Sequence, residues 1–457
     1  MIPIRVQNNF SWLETDDETL LNLFYKALRF QPPNWFHAQR RGRGSWSGWV
    51  SFFDKKKGKF PTGLLPEIEK ALDILKRKYK IVDERPKIDL QALTVTSDIF
   101  GDIELYDYQV DLANICLYQK RGIVKAPTAS GKTILFTSIL KALSKQIPTI
   151  CLFRNKSLVD QTYETFKKFN IENIGRVHGE VFEPALITCC TIQSLHKLAD
   201  LVPHVKALII DECHEFVSTQ SVRTIKKFKN TVIRLGFSAT PFKQNNPVHN
   251  YKLKSWIGPL LCDIPTLELQ ENGILSESIA HFYKISQQDG DAEEYPWPLC
   301  EDAGIVYNKC LNEKIVEIIQ SIPEGRIMIL VRRIPHGDNL HVLMPDAHWI
   351  RGQDNSDTRN YVLGQLRESK EKKVVAICSS ICNVGVNVFI HHLINAAGGK
   401  EPNLTIQKMG RGLRKAEDKD HLEYHDFFHD TNYILRKHSK IRVKTLKKEG
   451  HSVIEHY

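Results

Sequence analysis

The sequence predicts an α/β fold: two tandem parallel-sheet units, preceded by a small α+β unit and followed by a basic C-terminal extension. Three observations predict it. Runs rich in β-branched residues alternate with helical patterns from about residue 103 to 265, and again from about 305 to 430. The runs are apolar throughout, as strands buried on both faces of a parallel sheet must be. Charge is also uneven. Residues 39–59 hold seven Lys/Arg against one Asp, and residues 433–450 hold seven against one Glu, in a chain of net charge +10.

Composition narrows the function class. A chain of 457 residues with 42% hydrophobic and 25% charged content can build several ordinary globular cores. No apolar run approaches a membrane span, so a membrane role is not expected. Met1-Ile2-Pro3-Ile4-Arg5 is not a signal peptide, and the ten cysteines include no C-x-x-C pair. A cytoplasmic protein with reduced thiols is the expectation. Two concentrated basic patches favour a polyanion partner.

Residues 1–95 read as the small first unit. Leu20, Leu21, Phe24, Ala27 and Leu28 give a helical pattern, and Leu64, Leu65, Ile68, Ala71, Leu72 and Leu75 give another. Between them lies a basic stretch interleaved with aromatics. Arg40, Arg41 and Arg43 are suited to phosphates, and Trp46 and Trp49 to stacking on bases. Phe52 and Phe53 belong to the same interleaved set, most of whose aromatics are expected in a small core. Pro86 to Asp102 reads as a linker.

Residues 96–268 form the first parallel-sheet unit, with strands at 123–124, 149–153, 186–188, 207–210 and 232–237. Residues 269–432 form the second, with strands at 327–331, 374–378 and 393–396. Residues 433–457 read as a basic tail, either on duplex backbone or solvated. His421, His425 and His429 would share a face of a helix, but the segment reads as a late strand plus loop, and no metal is assigned to it.

The chemistry is concentrated at Ala126-Pro127-Thr128-Ala129-Ser130-Gly131-Lys132-Thr133. A strand precedes it and a helical pattern follows. In such a loop the backbone N–H groups cradle phosphate, the lysine reaches the outer phosphates and the Thr hydroxyl ligates Mg²⁺. Ala126 and Ala129 stand where glycines are common. A second site ends the strand 207–210. Asp211 there can hold Mg²⁺ with Thr133, and Glu212 can orient and deprotonate water. Ser238-Ala239-Thr240 follows the next strand, with hydroxyls able to bond the acidic pair. Farther on, Arg411 and Arg414 share a helix face and can clamp a γ-phosphate as charge develops. ATP and Mg²⁺ are the cofactors these residues call for.

In order and spacing these motifs resemble a superfamily 2 helicase core, over roughly residues 103–430. The resemblance implies two RecA-like domains. It also implies that Gln109 in Tyr106-Asp107-Tyr108-Gln109 contacts adenine, and that Gly385, Asn387 and Gln407 join the loop residues Pro127 to Thr133 at the nucleotide. Arg154 and Gln161 in Leu152–Gln161, Gln193 in Thr188–Leu195, and Arg351 in Trp349-Ile350-Arg351-Gly352 match its strand-contacting motifs. The whole chain is similar to the phage UvsW group, which resembles the RecG branch-migration enzymes. That resemblance implies a DNA partner with forks or junctions and action on Holliday junctions and R-loops. A monomer, with phage recombination or single-strand-binding proteins as companions, is the expectation. An RNA-directed helicase and a non-unwinding scaffold with a weak ATPase core are the competing readings.

Overall fold

The computed structural model describes residues 1–33, 35, 47–88, 93–143, 146–286, 293–368, 371–379, 389–413, 419 and 421–456. These divide into two compact units, Met1–Ala126 with Gly131–Asp263, and Pro127–Ser130 with Ile264–Tyr457.

The first unit begins with β1 (Ile2–Val6), β2 (Phe10–Leu13), the short pair β3 (Arg29–Phe30) and β4 (Val50–Ser51), β5 (Lys59–Pro61) and β6 (Tyr79–Asp83). Four of these form a sheet in the order β5-β2-β1-β6. Helices α1 (Glu18–Ala27) and α2 (Leu65–Ile74) contribute Leu20, Phe24, Ile68 and Leu72 to a core with Ile4, Val6, Phe53 and Phe60. The Asp17 carboxylate caps α1 by accepting from Leu20 N–H.

This small sheet does not stand apart from the parallel sheet that follows it. Two buried arginines clasp them together. Arg121 donates to the carbonyls of Asn8, Ile257 and Trp256. Arg234 donates to the Asn9 side-chain oxygen and to the carbonyls of Phe228 and Trp256. Asn8 and Asn9 in turn donate to the carbonyls of Lys229 and Lys226. Burial pulls Arg234 down to about 9, so it still carries its charge at neutral pH. Phe10 meets Trp256 edge-on at 5.6 Å, and Phe30 meets Tyr251 at 4.3 Å. Gly63 sits against the helix at 247–256, where an added Cβ would lie 2.0 Å from the Lys254 carbonyl oxygen. The stretch read as a linker is also pinned: Val95 is buried and exchanges two hydrogen bonds with the Asn114 amide.

The larger sheet of this unit holds β7 (Arg121–Lys125), β8 (Thr149–Phe153), β9 (Ile174–His178), β10 (Val181–Glu183), β11 (Ile187–Thr191), β12 (Ala207–Asp211), β13 (Ile233–Ser238) and β14 (Leu260–Asp263). Their order is β10-β9-β11-β8-β12-β13-β7-β14, and all pairings are parallel except β10 with β9. Every residue of β8 and β13 is buried, as helices on both faces demand. The helices are α3 (Asp107–Gln119), α4 (Lys132–Leu143), α5 (Lys156–Lys168), α6 (Thr219–Ile225) and α7 (Pro247–Trp256).

The second unit opens with α8 (Thr266–Glu271). Its sheet is wholly parallel, with β15 (Glu277–Ile285), β16 (Gly325–Leu330), β17 (His348–Ile350), β18 (Lys373–Cys378), β19 (His392–Asn395), β20 (His421–His429) and β21 (Ser452–His456). The order is β17-β18-β16-β19-β20-β15-β21. Helices α9 (Lys309–Ser321), α10 (Ile334–Leu343), α11 (Ser356–Glu368), α12 (Pro402–Gly412) and α13 (Tyr433–Lys448) complete it. Together the two sheets realise the α/β fold with large parallel sheets that the apolar runs predict.

The basic segment 433–457 packs into this unit rather than trailing from it. α13 buries Leu435, Ser439, Arg442 and Leu446, and β21 adds an edge strand beside β15. Arg442 is 1% exposed and pairs at 2.9 Å with Asp426, which is fully buried. Five of the lysines on α13 face solvent, so one helix carries both the charge and the apolar stripe.

Candidate functional site

β7 runs into the loop Ala126–Gly131, and α4 starts at Lys132. Ala126 N–H donates to the Ser238 carbonyl, which ties the loop to the end of β13. Ser130 Oγ donates to the Pro127 carbonyl at 2.8 Å and closes the turn. Lys132 Nζ reaches the Ala126 carbonyl at 3.2 Å, so its ammonium lies back over the loop. Two residues of the turn have positive φ: Ala129 at 71° and Gly131 at 76°. Glycine adopts this region freely, whereas alanine is strained there. The sequence departure at Ala129 is therefore a real one. Gly131 is fixed for a second reason, since a Cβ there would fall 2.5 Å from Gln109 Nε2.

Gln109 is thereby brought directly against the phosphate loop. It sits in the first turn of α3, 3% exposed, where Oε1 accepts from Tyr106 N–H at 3.1 Å and Nε2 donates to Tyr108 Oη at 3.3 Å. Burial pushes the Tyr108 phenol up to about 12, so that oxygen stays protonated.

Asp211 is the last residue of β12, between β8 and β13. Burial first, and then the Glu212 carboxylate, push Asp211 up to about 7, while Lys132 pulls the other way. Glu212 adopts φ 45° and ψ 49°, a left-handed conformation unusual for a side chain of its size. Such strain persists where the surroundings over-determine it, and it clusters at functional sites. Ser238 Oγ lies 2.8 Å from His214 Nδ1 and 3.4 Å from Glu212 Oε2, and accepts from Thr240 N–H at 3.1 Å. So the acidic pair and Ser238-Ala239-Thr240 meet in one network. His249 joins it, with Nε2 3.1 Å from the His214 carbonyl. Sequence reasoning missed His249, since nothing in its local pattern ties α7 to the acidic box. Burial lowers both histidines, so the network is neutral at its imidazoles near pH 7.

The donor set suits a triphosphate with Mg²⁺. Thr133 offers an exposed hydroxyl and Asp211 a crowded carboxylate, both hard oxygen donors. When bound, such a cation would neutralise the phosphates and the carboxylates together.

The other sequence-designated residues are more scattered. Arg154 pairs with Glu215, the carboxylate next to the acidic box. Gln161 is exposed on α5, and Gln193 is exposed, with its carbonyl bonded to His196. Arg351 is held by Asp338 at 2.9 Å, beside Trp349 Nε1 on the same carboxylate. Trp49 is 40% exposed, with the Arg29 guanidinium 4.6 Å over its ring. Gln407 lies on α12, as does Arg411, whose side chain falls outside the described residues. Arg40, Arg41, Arg43, Trp46, Gly385, Asn387 and Arg414 also lie outside them.

His421, His425 and His429 fall in β20. Glu423 accepts from His281 and His421 at 2.5 and 2.6 Å, and these bonds draw its carboxyl down to about 2. Among the described residues no group of three His, Cys, Asp or Glu is placed to hold a metal ion, and no helix is long and apolar enough to cross a membrane.

Comparison with known proteins bears on the class and fold of the chain. A family described as type III restriction enzyme, res subunit, matches residues 102–243. The ATP-dependent DNA helicase uvsW of Enterobacteria phage T4 is 20% identical over 445 residues, covering 90% of this chain and 88% of the relative. The DNA 3'-5' translocase XPB2 of Sulfurisphaera tokodaii is 24% identical over 404 residues, covering 77% of this chain and 90% of that one. Among solved structures, the ATP-dependent Type ISP restriction-modification enzyme LlaBIII bound to DNA superposes with a TM-score of 0.59 at 14% identity, over 82% of this chain and 33% of that chain.

A phosphate loop, an acidic strand end and two RecA-like sheets define a superfamily 2 helicase, an enzyme that hydrolyses ATP and acts on nucleic acid. Within that class the chain is similar to the ATP-dependent DNA helicase uvsW along most of its length.

Proposed function

We propose that this helicase remodels branched DNA, regressing forks and migrating Holliday junctions, with R-loops as further substrates, in phage replication, recombination and repair. The observation that carries the reading is the clasp of Arg121 and Arg234 on Asn8 and Asn9. It fixes the small sheet of the first unit onto the parallel sheet that follows it. A branch point gripped by that unit would be moved by the motor rather than left behind. The likeness to uvsW over 90% of the chain supports the same reading.

In this reading Lys132 and the loop from Pro127 to Thr133 hold the phosphates, with Gln109 on the base and Gly385, Asn387 and Gln407 completing the nucleotide contacts. Thr133 and Asp211 hold Mg²⁺, mostly through water. Glu212 aligns the attacking water, and Arg411 and Arg414 take up the charge that develops on the γ-phosphate. Arg40, Arg41, Arg43, Trp46, Trp49, Arg154, Gln161, Gln193 and Arg351 contact the strands.

The test compares a mobile Holliday junction, a plain overhang duplex and a duplex RNA, each with ATP. Preferential resolution of the junction is the expected result, and equal or better unwinding of the RNA defeats the proposal. Lys132→Ala should cut ATP turnover by at least about 10²–10³-fold, the scale of one lost charge-stabilising donor, while DNA binding survives. Turnover at the unaltered rate would remove the phosphate loop from the mechanism.

A further inference from the structure

The second unit has a cavity of its own. It measures about 470 Å³ and lies beyond the carboxyl ends of β16 and β19, neighbouring strands of the sheet. The chain leaves β16 toward β17 and leaves β19 toward β20, on opposite sides of the pair. That makes it a topological switch point, where open parallel sheets form ligand crevices. Its volume falls in the range of small-ligand sites.

The lining has a definite chemistry. Trp297 is 41% exposed and Leu404 is 36% exposed, two large apolar surfaces open at one place. Trp297 is held in position rather than loose. The Arg332 guanidinium lies 4.9 Å over its ring, and the His438 ring stands 5.9 Å from it. Just before it, Asn432 donates to the carbonyls of Glu293 and Tyr295. Lys400 and Lys408 line it as cations with Arg332, whose guanidinium also pairs with Glu301 at 2.9 Å, and Glu401 adds a carboxylate. Burial, with Arg442, Lys400 and Arg332 nearby, holds His438 down to about 4. It therefore lines the cavity as a neutral imidazole, and its Nδ1 has no hydrogen-bond partner among the described residues. A flat apolar face, a neutral donor and acceptor, and cations at the rim match a planar heterocycle joined to a phosphate.

We propose that this cavity is a nucleotide pocket that takes one unpaired base together with its phosphate. The inference rests on reading the chain as a motor on nucleic acid. Two sources share the chemistry, a base turned out of a bound strand and a free mononucleotide.

The test uses the full chain and two probes. One is a thymidine oligonucleotide carrying a single 2-aminopurine, and the other is 2-aminopurine deoxyriboside monophosphate. Quenching of either probe on binding is expected, relieved in Trp297→Ala. If the oligonucleotide is the one quenched, the source is a strand, and Trp297→Ala should also weaken its binding by about 5- to 150-fold, the range for one lost stacked base. If the free nucleotide is quenched, the source is a mononucleotide. Leu404→Glu places a carboxylate at the mouth and should act likewise while leaving the tryptophan in place. Both residues are partly exposed and lie outside the ATP machinery, so ATP turnover at saturating DNA should persist in both variants. Quenching that is absent, or equal in the unaltered protein and both variants, overturns the pocket while DNA-stimulated turnover stands. Absence of DNA-stimulated turnover in the unaltered protein overturns the motor reading and the strand source with it.

Discussion

The two parallel sheets share an architecture and differ in what their strand ends carry. In the first unit the ends carry carboxylates, and β7 runs into the phosphate loop. Asp211, Glu212, Ser238 and His214 form one hydrogen-bonded cluster. In the second unit the ends of β16 and β19 open on a cavity lined by an aromatic ring and cations. The same scaffold thus offers crevices of different chemistry. Topology places them, and the residues at the strand ends set what they can hold.

The units also secure their flanking segments by different chemistry. The second unit uses a buried ion pair, Arg442 with Asp426, extended by Asn395 at 2.8 Å and the Tyr424 hydroxyl at 3.0 Å. Arg442 draws the Asp426 carboxyl below its ordinary range despite burial that raises it. The first unit buries Arg121 and Arg234 against carbonyl and amide oxygens, with no carboxylate among the hydrogen bonds described for either. Removing a cation from the ion pair strands a charge, whereas removing one from the clasp strands only neutral acceptors. The costs should differ accordingly.

That difference sets the size of the expected effects. Arg442→Ala leaves Asp426 buried and uncompensated, and should cost about 3–5 kcal/mol in chemical denaturation. Adding Asp426→Leu should recover much of that loss. Failure to recover would mean that packing of α13, not charge, is what matters. Arg234→Ala strands no charge and should cost less, about 1–3 kcal/mol in all. It should also open the 1–88 region to limited proteolysis ahead of the parallel sheet. A loss as large as that of Arg442→Ala would erase the contrast.

The smallest effect concerns Asp211. Its carboxyl titrates near 7 when folded and near 3.8 otherwise, so the folded protein binds the extra proton. Its stabilising contribution is full below about pH 4 and is lost as pH rises through 7. Without divalent cation, Asp211→Asn should raise the melting temperature at pH 8 by on the order of a few degrees. The gain should vanish toward pH 4. A gain independent of pH would show that the carboxylate is not under electrostatic pressure.

Much of the fold was legible in the sequence. The strand expected at 149–153 matches β8 residue for residue, and those at 207–210 and 374–378 fall short of their strands by one residue each. Buried parallel strands announce themselves by unbroken apolar runs. β15 was harder to see, because His281 interrupts its apolar character, and β20, read as a late strand plus loop, carries His421 and His425. The imidazoles are accommodated only because neighbouring strands supply partners, among them Glu423 and Tyr283. The same holds at the candidate site. The phosphate loop and Asp211-Glu212 were evident from local pattern, but the pairing of His249 with His214 was not.

By itself the sequence determined the α/β alternation, the phosphate loop, the acidic strand end and the concentration of basic charge. These depend on periodicity and on neighbours in the chain. Only the tertiary structure decided that Arg442 is buried rather than solvated, that Arg121 and Arg234 close on Asn8 and Asn9, and that Trp297 and His438 line one cavity. A cation's fate depends on what partner lies within about 3 Å, the reach of a hydrogen bond. That partner is chosen by strand order and helix packing, which residue spacing does not encode.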